Sequence, residues 1–348
     1  MRSLLVNIDS SLKIVELPKP EIDKTSVLVK TLACGICSGT DSKIIHGKFK
    51  NIPLSDYPTL LGHETVGEVV EVGSEVTSFK PGDKIVGQII MGKMGGYSSY
   101  WGGFSEYGVC VDPAALIRNG MGPGTQFWHP AVLCSKLIPD DFDPVGSVMI
   151  LTMREVLSAM YMFGLTRGES LAVFGAGPVG LTFIKFAKIL GLGPVISIVR
   201  NAEKAAEAEK AGADYIINSN VEDVVKAVRR ICPGGVDNSL DAVGNNSLVS
   251  MGMEIVRDNG KILVYGISSD LSMNLNWSNA PYNWKLHFYQ MPDKEREAAA
   301  HEQVVNWIRM GIINPMDYIS HVFDFKDILN GFELVENHIP HKKIVIKY

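Results

Sequence analysis

The sequence predicts an α/β chain of two domains, a mainly β, barrel-like region followed by a doubly wound parallel sheet. Three observations predict it. The chain has 348 residues, about two ordinary domains' worth. Its first 110 residues read as short β-branched segments separated by turn signals. From about residue 150 apolar strands alternate with helical stretches, the rhythm of βαβ units.

In the first region Val27 to Ala33 alternates and is β-branched. Gly67 to Val72 and Lys84 to Gln88 have the same character, with the turn Lys80-Pro81-Gly82-Asp83 between them. The Pro- and Gly-rich stretch Asn119 to Pro130 predicts a surface loop carrying Gln126, Phe127, Trp128 and His129. A substrate lid and an oligomer contact are equally open for it. In the second region Met153 to Phe163, Pro178 to Leu190 and Ala202 to Ala211 predict helices. Ser170 to Phe174, Val195 to Val199, Tyr215 to Asn218, Asn238 to Ala242 and Lys261 to Tyr265 predict strands. The stretch Tyr282 to Gln290 is rich in aromatics and carries His287. The chain closes on an apolar strand, Lys343 to Lys347.

Composition narrows the function classes. A net charge of −5 and a pI near 5.9 give no basic surface for nucleic acid or anionic lipid. Apolar residues at 46% are too many for a disordered chain. Five scattered cysteines, Cys34, Cys37, Cys110, Cys134 and Cys232, form no dense disulfide framework, so a cytoplasmic location is expected. The opening residues meet an acid, Asp9, too early for a secretory signal. No run of about 18 uninterrupted apolar residues predicts a membrane span.

One motif points to a dinucleotide. Gly175-Ala176-Gly177-Pro178-Val179-Gly180 follows the strand Leu171 to Phe174 and opens a helix. Such a turn needs a first glycine for tightness, a second for backbone approach to a pyrophosphate, and a third for strand–helix packing. The helix N-terminus attracts the negative charge. A purely structural glycine turn is the competing reading. About 20 residues on, an NAD site usually places an acid on the ribose 2′-hydroxyl. Here the expected position is Val199, followed by Arg200, and Lys204 is a weaker second contact. An arginine binds a 2′-phosphate bidentately where an acid would repel it. NADP is therefore the expected cofactor, ahead of NAD; an exposed helix-start arginine with no ligand is the alternative.

The first region also carries Ala33-Cys34-Gly35-Ile36-Cys37-Ser38-Gly39-Thr40-Asp41 and Gly62-His63-Glu64. Cysteine, histidine and carboxylate are zinc ligands, and a catalytic zinc leaves one position for a substrate oxygen. Taken singly, His63 reads equally as a satisfied interior histidine and Cys37 as a small buried residue. Together with Lys80 to Asp83, Gly103-Phe104-Ser105-Glu106-Tyr107, the glycine motif and Ala211-Gly212-Ala213-Asp214, these segments resemble the zinc-dependent alcohol and polyol (sorbitol-like) dehydrogenases of the medium-chain dehydrogenase/reductase superfamily. The resemblance spans nearly the whole chain and implies Tyr282 to Gln290 as the return crossing into the catalytic domain, packed at the domain seam rather than on substrate. It implies a GroES-like β-rich catalytic domain, 1–150 and 287–348, split by a Rossmann domain, 151–286, with the active site in the cleft and a homodimer or homotetramer as the assembly. It implies Cys37 and His63 as zinc ligands, Glu64 as a nearby or intermittent one, Thr40 as the hydroxyl passing the substrate proton outward, and Asp41 as the carboxylate that orients the histidine. The implied reaction is hydride transfer between NADP(H) and a small secondary alcohol or ketone, of polyol, cyclitol or sugar type.

Three features depart from the family pattern, beside the 119–130 loop, which looks like an insertion relative to it. The Cys37 to Asp41 segment is one residue longer than usual, so either the loop bulges or Ser38 takes the cysteine's place. The usual third ligand falls on Leu151, which cannot bind zinc; Glu155, one turn later, substitutes only if its helix shifts. A histidine that often ends the proton relay falls on Lys43. A structural four-cysteine zinc lobe is absent, since Ile89 to Gly103 holds no cysteine but has Tyr97, Tyr100 and Trp101. These departures keep open a zinc-independent NADPH-dependent reductase of activated carbonyls or double bonds, and more remotely a non-catalytic NADP-binding protein.

Overall fold

The computed structural model describes residues 1–337, 339 and 342–348. Its strands run, in chain order, β1 (Arg2–Val6), β2 (Leu12–Glu16), β3 (Ser26–Ile36), β4 (Thr59–Leu60), β5 (Glu64–Val72), β6 (Lys84–Val86), β7 (Gly92–Met94), β8 (Tyr97–Ser99), β9 (Tyr107–Val111) and β10 (Lys136–Leu137). Then come β11 (Leu171–Phe174), β12 (Val195–Val199), β13 (Tyr215–Asn218), β14 (Val236–Asp241), β15 (Val256–Val264) and β16 (Trp284–Phe288), and finally β17 (Ile319–Asp324) and β18 (Lys343–Lys347).

The chain divides into two compact units, Met1–Arg154 with Lys294–Tyr348, and Glu155–Asp293. The first unit holds two sheets. One runs β2-β1-β4-β8-β7; the other runs β10-β6-β5-β3-β18-β17, with β9 also on β3. C-terminal β18 thus pairs antiparallel with N-terminal β3, Ile344 opposite Ile36 and Val345 opposite Gly35. The apolar core behind this sheet gathers Cys34, Ile36, Leu61, Phe104, Phe332 and Ile344 from both ends of the chain. The second unit is one parallel sheet in the order β13-β12-β11-β14-β15-β16. All five residues of β12 are buried, as expected of an interior strand covered on both faces.

The return of the chain differs from the expected boundary at 286/287. Tyr282 to Gln290 is not the crossing: β16 extends the parallel sheet, pairing Gly260 with Trp284 through to Val264 with Phe288. Backbone bonds to β15 run through Tyr289, and the second unit ends at Asp293. The other change of unit falls inside the helix Met149–Met162, after Arg154 rather than at 150. Pro144–Met162 is long and apolar enough to cross a membrane, but 83% of its apolar window is buried in the protein, as in a core helix. The reading by uninterrupted apolar runs passed over this stretch because Thr152, Arg154 and Glu155 interrupt it.

Arg154 is buried against the helix Lys294–Arg309, its Nε donating to Glu297 at 2.8 Å and its Nη1 to the Cys134 carbonyl at 2.6 Å. Lys294 adds a second cation on the same carboxylate, with a 2.7 Å bond to Glu297. His301, on the same helix, is fully buried, with Nε2 2.8 Å from the Leu137 carbonyl and Nδ1 unpaired. Burial, aided by the Arg154 charge, brings its pKa down to about 4 from an ordinary 6.5. The unfolded chain therefore takes up this proton first as pH falls. The resulting stability is fully present above pH 6.5 and lost as pH drops toward 4, a change of about 3 kcal/mol. His301→Gln keeps a donor for Leu137 and removes this titration. Urea midpoints are expected to converge between wild type and variant from pH 6.5 to 4.5; a constant gap rules out a neutral His301.

Candidate active site and dinucleotide cradle

The Cys37 loop closes on itself. The Cys37 carbonyl accepts from Thr40 N at 3.1 Å and Asp41 N at 2.8 Å, and the Asp41 carboxylate accepts from Cys37 N at 2.9 Å. Ser38 and Gly39 lie exposed at the tip, and Lys43 Nζ donates to the Gly39 carbonyl at 2.7 Å. The extra residue is thus absorbed as a bulge, and Cys37 rather than Ser38 faces the site. Thr40 is the half-buried N-cap of the short helix Asp41–Ile45, and its hydroxyl makes no capping bond.

Two adjacent strands deliver the acids and the imidazole. His63 precedes β5 and Glu64 opens it, with Glu64 opposite Gly35 of β3. The fully buried Asp41 carboxylate lies 3.3 Å from His63 Nδ1. Burial opposes charge on His63, but Asp41 and then Cys37 outweigh it and hold its pKa well above the usual value. Trp101 packs 5.6 Å from the His63 ring, with Phe49 5.9 Å edge-on to the indole.

A lysine that sequence reasoning overlooked completes the cluster. Lys343 Nζ donates to both Glu64 oxygens, at 2.7 and 2.6 Å, and Thr152 Oγ1 donates to Oε1 at 3.3 Å. Lys343 and Glu64 are only 4% and 5% exposed, so the pair is out of water. Burial would push the Glu64 carboxyl up, but Lys343 and His63 bring it below the usual range. Burial likewise depresses the ammonium, yet Glu64 raises it. No local signal distinguishes Lys343 from any lysine that opens an edge of an apolar strand; only the β18–β3–β5 order places it here.

Cys37, His63 and Glu64 each offer one ligand atom, all within 4.8 Å of one another, the only such cluster among the described residues. Zinc with these donor types spaces them about 3.5 Å apart, so the set fits after a contraction of about 1 Å. Leu151 is buried and supplies no donor, and Glu155 does not join the cluster.

In the second unit the glycine loop is shaped as a cradle. Gly175 has φ +99°, and a Cβ there would meet Val243 at 2.7 Å. A Cβ on Gly180 would collide with the Gly175 carbonyl oxygen. Gly177, by contrast, faces open space and is the N-cap of the helix Pro178–Ile189 with no side-chain cap. Pro178 and Val179 form its first turn, so the free first-turn N–H groups can receive an anion. A diphosphate fits this opening. At the end of β12, Val199 is buried at 3% exposed and Arg200 is the first exposed residue. Asn220 Nδ2 donates to the Arg200 carbonyl at 2.7 Å. Lys204 donates its main-chain N–H to the Asn201 cap at 2.9 Å.

Two family models match: the alcohol dehydrogenase GroES-like domain over residues 23–118 and the zinc-binding dehydrogenase over residues 178–287. An alcohol dehydrogenase of Geobacillus stearothermophilus is 31% identical over 287 residues, covering 77% of this chain and 77% of its own. The chain belongs to the zinc-type alcohol dehydrogenase family. A sorbitol dehydrogenase of Bacillus subtilis (strain 168) is 29% identical over 280 residues, covering 79% of this chain and 78% of its own. In fold, galactitol-1-phosphate dehydrogenase from Escherichia coli superposes with a TM-score of 0.82 over 100% of both chains, at 19% identity.

This dehydrogenase is an oxidoreductase of hydride-transfer type, with a GroES-like domain and a Rossmann domain. Its five cysteines, all among the described residues, form no disulfide with one another. Where a structural zinc lobe would sit, it has a β7–β8 hairpin turned by Gly95 and Gly96, at φ +57° and +88°. β8 pairs with β4, and Tyr100 and Trp101 follow it directly, so the hairpin delivers the indole to His63. The 119–130 loop leaves Gln126, Phe127 and His129 exposed, with the half-buried Trp128 Nε1 unpaired.

Proposed function

We propose that this dehydrogenase moves a hydride between NADP(H) and a small polyol-like secondary alcohol or its ketone, with one catalytic zinc. The observation that carries the reading is the convergence of Cys37, His63 and Glu64 in the unit that also buries Asp41 behind His63. Zinc held there would polarise the substrate oxygen and lower the alcohol's pKa, while the nicotinamide exchanges the hydride.

Each residue has a defined task. Cys37 and His63 are the firm metal ligands, and Glu64 is the third donor. Asp41, whose carboxylate lies 3.3 Å from His63 Nδ1, orients the imidazole and leaves Nε2 to bind the metal. The Thr40 hydroxyl, unused as a cap, carries the alcohol proton outward. The backbone at Gly175, Gly177, Pro178, Val179 and Gly180 receives the diphosphate. Arg200, with Lys204 behind it, receives a 2′-phosphate. Similarity to the sorbitol dehydrogenase supports a polyol. A homodimer or homotetramer is the proposed assembly, and β16 leaves a sheet edge with Leu286 and Phe288 exposed to help form it.

The test is metal content and chelator sensitivity measured beside turnover on a panel of polyols and cyclic alcohols. One zinc per chain, and activity that falls with chelation and returns with zinc, is the expected result. Full activity at sub-stoichiometric zinc, with chelator-insensitive reduction of enones, makes it the zinc-independent reductase that Leu151 would favour.

A further inference from the structure

The Lys343–Glu64 pair has a consequence for the metal. Gly35 shows how closely it is built: a Cβ there would meet Glu64 Oε2 at 2.5 Å, Val148 at 2.6 Å and the Lys343 stem at 3.2 Å. The lysine stem therefore crosses β3 through the gap that a glycine leaves. Continuing the register of Ile344 opposite Ile36 by one residue sets Lys343 beside Cys37. Lys343 is placed on the cluster by three strands rather than by a flexible reach.

Both Glu64 oxygens are bonded to one ammonium, and Thr152 takes part of Oε1. With leucine at 151, Glu64 is the only carboxylate in the ligand cluster among the described residues. The third donor and the buried cation thus compete for the same oxygens. A positive charge in a water-poor site also opposes a second cation directly. Without metal, the same lysine keeps the buried Glu64 charge compensated, which an unpaired carboxylate there could not survive cheaply.

We propose that Lys343 is a positioning residue that holds Glu64 in reserve and thereby weakens zinc binding, making the ion exchangeable while leaving the metal-free protein folded. The inference rests on the zinc reading above. Zinc affinity, measured by competition against a chromophoric chelator on the full-length protein, tests it. Lys343→Met is expected to bind zinc at least tenfold more tightly than wild type. Its metal-free melting temperature is expected to fall, and its zinc-induced rise to exceed that of wild type. A merely structural lysine predicts the opposite, since its loss would loosen the cluster and weaken zinc. Lys343→Gln, which keeps a hydrogen bond to Glu64 without the charge, tests the same direction should the methionine variant not fold. In Glu64→Gln/Lys343→Met the gain is expected to vanish, because it runs through the freed carboxylate. Unchanged or weaker zinc in both Lys343 variants, or a gain that survives loss of Glu64, overturns the proposal. Zinc bound by neither wild type nor any Lys343 variant overturns the zinc reading itself and this inference with it.

Discussion

His63→Ala is expected to lower kcat/KM by at least about 10³-fold while the Rossmann unit still binds cofactor. On the proposed reading the imidazole is one of two metal ligands, and a Lewis-acid metal supplies several kcal/mol of transition-state stabilisation. At 1.36 kcal/mol per tenfold, losing about 4 kcal/mol gives that factor. Zinc content is expected to fall in parallel. The fold pays a smaller cost, since Asp41 loses its 3.3 Å partner but keeps the Cys37 N–H at 2.9 Å. The cradle lies in a separate compact unit, so cofactor titration serves as the folding control. Retained activity with undiminished zinc means that the chemistry is done elsewhere.

Arg200→Asp is expected to move the ratio of kcat/KM for NADP over NAD by about 10²- to 10⁴-fold toward NAD. Hydrogen bonds to a charged group contribute about 1.5–3 kcal/mol, and here they are replaced by repulsion. The structure narrows the choice of position. Val199, where spacing alone would seek the acid, is buried and has no group to hydrogen-bond a ribose hydroxyl, whereas Arg200 is exposed just past β12. The Asn220 bond to its carbonyl pins the main chain at that point. Steady-state kinetics with both cofactors decides the matter, and an unaltered ratio shows that another residue reads the 2′ position.

Much of this was legible in the chain because the signals are local. The glycine loop, the strands β11 to β13 and the helix Ala202–Ala211 follow from apolar periodicity and turn chemistry within a few residues. Cys37, His63 and Glu64 could be named because a motif carries them. The misplaced return at 287 has the opposite cause. Aromatic, partly polar β16 has one strand neighbour, and its exposed Leu286 and Phe288 give no buried-strand pattern. Only its pairing with β15 assigns it to the sheet.

By itself the sequence determined the two-domain α/β class, the dinucleotide loop and the residue types of the ligand cluster, since each depends on spacing along a short stretch of backbone. The tertiary structure alone decided what those residues face. It absorbed Ser38 in a bulge, brought Trp101 to His63, and carried Lys343 to Glu64 across 279 residues of chain. Contacts of that kind are made by strand order and burial, and neighbours in sequence carry no record of them.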